Sequence, residues 1–307
     1  MDWQSLQRRY DAPPGASARA VRLLALGRVL DGTQYDVLPH DFSSERSGAG
    51  EYIPLSNRRP SVRTNLCRTV VDDSVSLLFG DTHWPAIKAV ETETAQILGS
   101  FVREAGIEPL FVRAATRGAV GSVAILVEAV EGRLVASVLE TAFLTPEWDA
   151  GGELVAVRER YIVRGRDLAA LGYSIADDLL SGQFWWQRTF TRDDCDVLVP
   201  QPVGSGAPAV KDDTRSLRHG LGFVPIVWIR NLCSAWHEPD GPCTFERAID
   251  TVIEADYLLS QGGRALRYAS DPTLVLKAGS DPSGPPARQG GAASALTLPP
   301  DGDAKLL

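Results

Sequence analysis

Four pairs of adjacent aspartates, Asp72-Asp73, Asp177-Asp178, Asp193-Asp194 and Asp212-Asp213, are the residues of this chain that most invite a chemical reading. Carboxylates that converge on one point hold Mg²⁺ for phosphoryl chemistry, which would make the chain a metal-dependent hydrolase or nuclease. Adjacent residues on a helix or strand point apart, so adjacency in sequence is not convergence in space. Surface charge and the capping of helices and turns are the expected roles. Cys233, His237 and Cys243 form a C-x3-H-x5-C pattern, with His219 upstream as a fourth candidate ligand. Structural zinc favours tighter paired spacing on both sides of a knuckle, so these read as loop residues beside a strand. The GAVG run at 118–121 lacks a third glycine and opens a strand, and no nucleophile elbow or phosphate-binding loop is present. Phe184-Trp185-Trp186 has the stacking surface of a single-strand binder. Basic residues are sparse around it, which favours packing between sheet and helices or against a neighbouring subunit. No catalytic residue, cofactor or metal is expected from these patterns.

One further charged pattern depends on a helix. Over 245–270, Phe245, Ala248, Ile249, Val252, Ala255 and Leu259 share one helical face, and Glu246, Asp250 and Glu254 recur every fourth residue on another. Like charges at that spacing cost a little helix stability. The acidic stripe is therefore either a solvated face or the low-adhesion wall of a channel. A continuous helix here would span roughly 40 Å, with Gly262-Gly263 as its one weak point.

The elements before it fall into two classes. Helical spacing marks 16–30, with Leu23, Leu26 and Leu30 and a stop at Gly32; 62–79, ending at Gly80; and 85–105, ending at Gly106. Residues 33–60 are rich in Gly, Pro and polar side chains and read as an extended arm. Beyond Gly118 the period changes: 119–128, 133–141, 154–163, 184–192 and 223–230 are β-branched or aromatic runs separated by turn residues. Glu131-Gly132 reads as a hairpin turn, and 183–192 alternates as an exposed antiparallel strand would. After the long helix come a strand-like 273–277, a Gly/Pro/Ser/Ala-rich loop over 279–294 and a short apolar run at 295–298. The whole is an α+β chain, helices first and sheet after.

Composition is consistent with this. With 307 residues, 44% hydrophobic and 23% charged, the chain buries a sizeable core. No apolar run is long enough to cross a membrane and the start lacks a leader pattern, so the expectation is a protein made in the cytoplasm. Four scattered cysteines suit free thiols. A net charge of −8 argues against tight binding to a nucleic-acid backbone, although an acidic or mixed lining helps DNA slide past without sticking.

Several short segments, in this order, resemble the portal (head-tail connector) proteins of tailed double-stranded DNA bacteriophages: LDGTQY at 30–35, RPSVRTN at 59–65 running into VVDDSVSLLFG at 70–80, LGFVPIVWIRN at 221–231, and IEADY at 253–257 inside the long helix. They are similar to that family's opening helix and Gly-aromatic step, its Asn-bearing helix, its "G-x-x-P-V-V" strand and its first stem helix. The resemblance covers most of 20–277. It implies an N-terminal helix and arm at 1–60, an α+β wing at 61–243, a stem helix at 244–271 and the start of a clip at 272–307. Family members continue into a second stem helix, a tunnel-lining helix and a crown, which this sequence lacks. The implied function is structural: a homo-oligomeric ring, usually a dodecamer, at the capsid vertex of the virion. That ring passes double-stranded DNA without sequence-specific binding and meets the terminase packaging motor, head-tail adaptors and capsid proteins. Glu246, Asp250 and Glu254 are then the candidate channel-facing residues, and ATP hydrolysis belongs to the motor. The alternatives are the metal-dependent hydrolase or nuclease and a monomeric interaction scaffold.

Overall fold

The computed structural model describes residues 1–80, 84, 88–130, 132–232, 238–270, 274–277 and 295–298, with side chains left aside at 268–269 and in the last two segments. The chain is α+β, with antiparallel main sheets and a long C-terminal helix. It divides into two compact units: residues 2–37 with 65–252, and residue 1 with 38–64 and 253–307.

In the larger unit, α1 (Trp3–Gln7) is capped by Asp2, and α2 (Ala18–Leu30) by the Ser17 side chain, which accepts the Ala20 amide. Leu23, Leu26 and Leu30 are buried, as their spacing requires. The second long helix starts later than the apolar spacing suggests, with α3 at Leu66–Leu78. Asn65 sits in the left-handed region at φ 48°, and the Val62 and Thr64 amides, on the other unit's side of the division, are taken by side chains there. Helix α4 (Thr92–Glu104) is shorter than the expected 85–105, of which 85–87 lie outside the described residues. Gly106, at φ 58°, turns the chain directly into α5 (Ile107–Gly118), an element the sequence reading left unassigned.

Two antiparallel sheets follow. Strands β3 (Ser122–Val130) and β4 (Arg133–Leu139) form the expected hairpin: Val130 pairs with Arg133, and Gly132 supplies the positive φ of 77° that a two-residue turn needs. The larger sheet takes β5 (Leu144–Trp148), β6 (Leu154–Arg164), β7 (Gln183–Thr191), β8 (Asp194–Val197), β9 (Gln201–Pro202) and β10 (Leu217–Arg218), with helix α6 (Gly165–Ala170) between β6 and β7. Its order is β10-β8-β7-β6-β5, with β9 also on β7. Strand β11 (Ile226–Arg230) completes the smaller sheet beside β3. Strand β7 is antiparallel as expected but not exposed: it lies between β6 and β8, and Phe184 and Phe190 are buried. Pro146 hid β5 from the sequence reading, and β5 ends the sheet order, where a missing amide is tolerated. Ala124 and Leu126 of β3 meet Leu144, Val157 and Phe190 of the larger sheet in one buried cluster, so the two sheets pack face to face.

In the smaller unit, β1 (His40–Asp41) and β2 (Arg58–Arg59) pair in parallel. Arg58 is 2% exposed, and its guanidinium donates to the Phe42 carbonyl and the Tyr52 hydroxyl. The division between units falls within α7 (Ile249–Ser270), which a short 3₁₀ turn at Glu246–Ala248 precedes. Gly262-Gly263 leave the helix unbroken. The buried face is rotated from the expected one: Ile249, Val252, Ile253, Asp256 and Ser260 are buried, whereas Ala248 and Leu259 are exposed. Asp256 accepts the Thr64 amide at 2.9 Å and hydroxyl at 2.7 Å, and Ser260 accepts the Val62 amide at 2.9 Å. Burial of these polar groups is thereby satisfied. Arg264 pairs with Glu45 at 2.5 Å, and β12 (Leu274–Lys277) pairs in parallel with β13 (Ala295–Leu298).

Candidate functional site

The three carboxylates on the long helix differ in environment despite their even spacing. Glu246 receives a forked contact from Arg22, at 2.6 Å from Nη2 and 3.3 Å from Nε. This hydrogen bond pushes the Arg22 guanidinium above its ordinary pKa. Asp250 accepts the Trp3 amide at 2.6 Å, at the start of α1. Glu254 is exposed and, among the described residues, has no ion-pair partner. Arg22 and the Trp3 amide thus engage the first two, and Glu254 alone has no partner of either kind among the described residues.

The acidic pairs are spread over separate turns and helix faces. Asp72 pairs with Arg68 one helical turn earlier, and Asp212 accepts the Thr214 hydroxyl and amide, which hold its carboxyl below the usual range. Asp177 and Asp178 open a 3₁₀ turn, and the Asp193 carbonyl accepts the His219 and Gly220 amides. Among the described residues, no group of three or more His, Cys, Asp or Glu is placed to hold a metal. Cys233 and His237 lie outside the described residues. Cys243 is a buried free thiol whose pKa burial pushes up to about 11, and His219 Nδ1 accepts the Leu221 amide at 3.3 Å.

The aromatic triplet packs within the chain. Phe184 is 4% exposed, the Trp186 indole donates to the Tyr173 hydroxyl at 3.0 Å, and the Arg160 guanidinium lies 3.9 Å over the Trp185 ring.

Two features escaped the sequence reading. Arg19 forks onto Asp240 at 2.6 and 2.8 Å and donates to the Thr141 and Leu144 carbonyls, while Ser122 Oγ donates to Asp240 at 2.5 Å. This node fastens α2 and β3 to the loop before α7. The Asp240 carboxylate thus takes donors from both Arg19 and Ser122. The second feature is the helical layer. Helix α3 buries Cys67, Val71 and Val75 but exposes a second apolar stripe, Leu66, Val70 and Leu77, at 46%, 51% and 78%. Helix α4 is amphipathic and buries no residue, with Ile97 61% exposed. Between α3, α5 and β11 runs an apolar groove of about 490 Å³, lined by Val75, Leu78, Phe111, Ala115, Ile229 and Leu232. The double stripe on α3 is written in the sequence at 66/70/77 and 67/71/75, and a helix apolar on two sides is one that expects two partners.

Among known proteins, no family model matches this sequence and no curated protein matches it.

Proposed function

We propose that this chain is a structural subunit of a phage portal ring, the channel by which DNA enters and leaves the capsid at one vertex of the virion. The reading rests on the portal-like order of segments at 30–35, 59–80, 221–231 and 253–257. One structural observation carries it furthest: the α3–α4 layer keeps apolar stripes uncovered, and soluble monomers rarely leave such stripes to water. In a ring of identical subunits a head-to-tail interface covers them. The long helix α7 takes the part of the first stem helix, and β12 with β13 that of the start of the clip, where the packaging motor and tail adaptors dock. No described helix is long and apolar enough to cross a membrane.

The test is direct. Purified protein imaged by negative stain should show closed rings, and a Mg²⁺-dependent DNA cleavage assay should show no activity; a monomer that cleaves DNA would replace this reading with the nuclease. Translocation is the second test. Glu254→Lys adds a cation at the one stripe position with neither an ion pair nor a hydrogen-bond donor on it among the described residues, and should slow DNA packaging through assembled rings by raising adhesion. Unchanged packaging would remove Glu254 from the channel wall.

A further inference from the structure

A second cavity, also about 490 Å³, lies in the larger unit between α2, α5 and the end of β4. Its walls are apolar at Val21, Leu24, Val138 and Phe143, and three arginines, Arg28, Arg113 and Arg117, line the same space. Three carboxylates also line it, so the cavity is balanced in formal charge. Asp31 is paired to Arg117 at 3.0 Å, Glu140 accepts the Ala142 amide at 3.5 Å, and Asp11 is exposed to solvent.

Arg28 carries the inference. Its guanidinium lies 4.8 Å over the Tyr10 ring, and Tyr10 is itself fixed by donating its hydroxyl to the Gln34 carbonyl at 2.9 Å. A guanidinium resting over an aromatic ring still has N–H groups to donate to a carboxylate. Among the described residues, neither Arg28 nor Arg113 has a carboxylate partner. Three other stacked arginines are paired with carboxylates: Arg19 with Asp240, Arg188 with Glu159, Arg215 with Asp212.

We propose that this cavity binds a small organic carboxylate, its anionic head taken by Arg28 and Arg113 and its apolar body laid along Leu24, Val138 and Phe143. The size and the mix of apolar wall with few convergent polar groups match small-molecule sites. This inference needs nothing from the ring assembly.

Octanoate is the probe, with octan-1-ol and octylamine of equal chain length as controls, measured by calorimetry on the full chain. Octanoate should bind saturably with one site per chain, and the two controls should not. Arg28→Met and Arg113→Met should each weaken it about tenfold or more, the loss expected for a charge-assisted hydrogen bond. Arg113 is exposed on α5, so its replacement reads binding even if the Arg28 variant fails to fold. Absence of saturable octanoate binding, equal binding of octan-1-ol, or an unchanged affinity in the Arg113→Met protein would overturn the assignment.

Discussion

Truncating Arg19 strands Asp240, whose side chain is 10% exposed, without the fork that neutralises it. Arg19→Ala should therefore cost about 3 kcal/mol of stability in urea unfolding, with the slope against denaturant unchanged. A loss below about 1 kcal/mol would mean that the node is a surface pair. The thiols make a second residue-scale case. Burial pushes Cys195 and Cys243 up to about 11, so both stay protonated at pH 8 in the folded chain. Iodoacetamide should spare them in the native protein and label them in urea, because only the thiolate reacts. Both pKa values are raised by folding, so the sign is fixed: stability is full below the unfolded value near 9 and falls as pH climbs toward about 11. Rapid native labelling at pH 8 would contradict this.

At the scale of elements, Gly262 and Gly263 sit inside an unbroken helix with open space where a Cβ would stand. Replacing each with alanine should stabilise the protein by roughly 0.5–1 kcal/mol, read from the thermal midpoint. Gly241 is the opposite case. A Cβ there would run into the Asn231 backbone, so Gly241→Ala should destabilise strongly or prevent folding. How far the fold was legible follows the same division between local and distant causes. The hairpin at 130–133, the buried leucines of α2 and the length of α7 were readable because each rests on spacing and turn chemistry within a few residues. The start of α3 and the buried face of α7 were not, because Val62 and Thr64 are held by side chains nearly two hundred residues away. The Arg19 to Asp240 pair, 221 residues apart, was invisible for the same reason. Of the acidic stripe only the spacing was visible; that Arg22 and Trp3 occupy two of its members depends on tertiary structure. The short strands β8, β9 and β10 lack enough residues to show a period at all.

At the scale of the whole molecule, one copy leaves apolar surface open. Leu77 and Ile97 are 78% and 61% exposed, so charge at these positions disturbs little inside the chain. Leu77→Glu with Ile97→Glu should leave monomer stability within about 0.5 kcal/mol of the parent while abolishing assembly, a separation that a merely structural role would not give. The net charge of −8 fits a wall past which DNA slides and fits poorly a protein that grips it. The most direct measurement is the solution mass of the purified chain by native mass spectrometry. A ring subunit should give one dominant species at a fixed whole-number multiple of 33.1 kDa, collapsing to single chains in the Leu77→Glu/Ile97→Glu protein. A parent protein that stays at 33.1 kDa across the concentration range would contradict it.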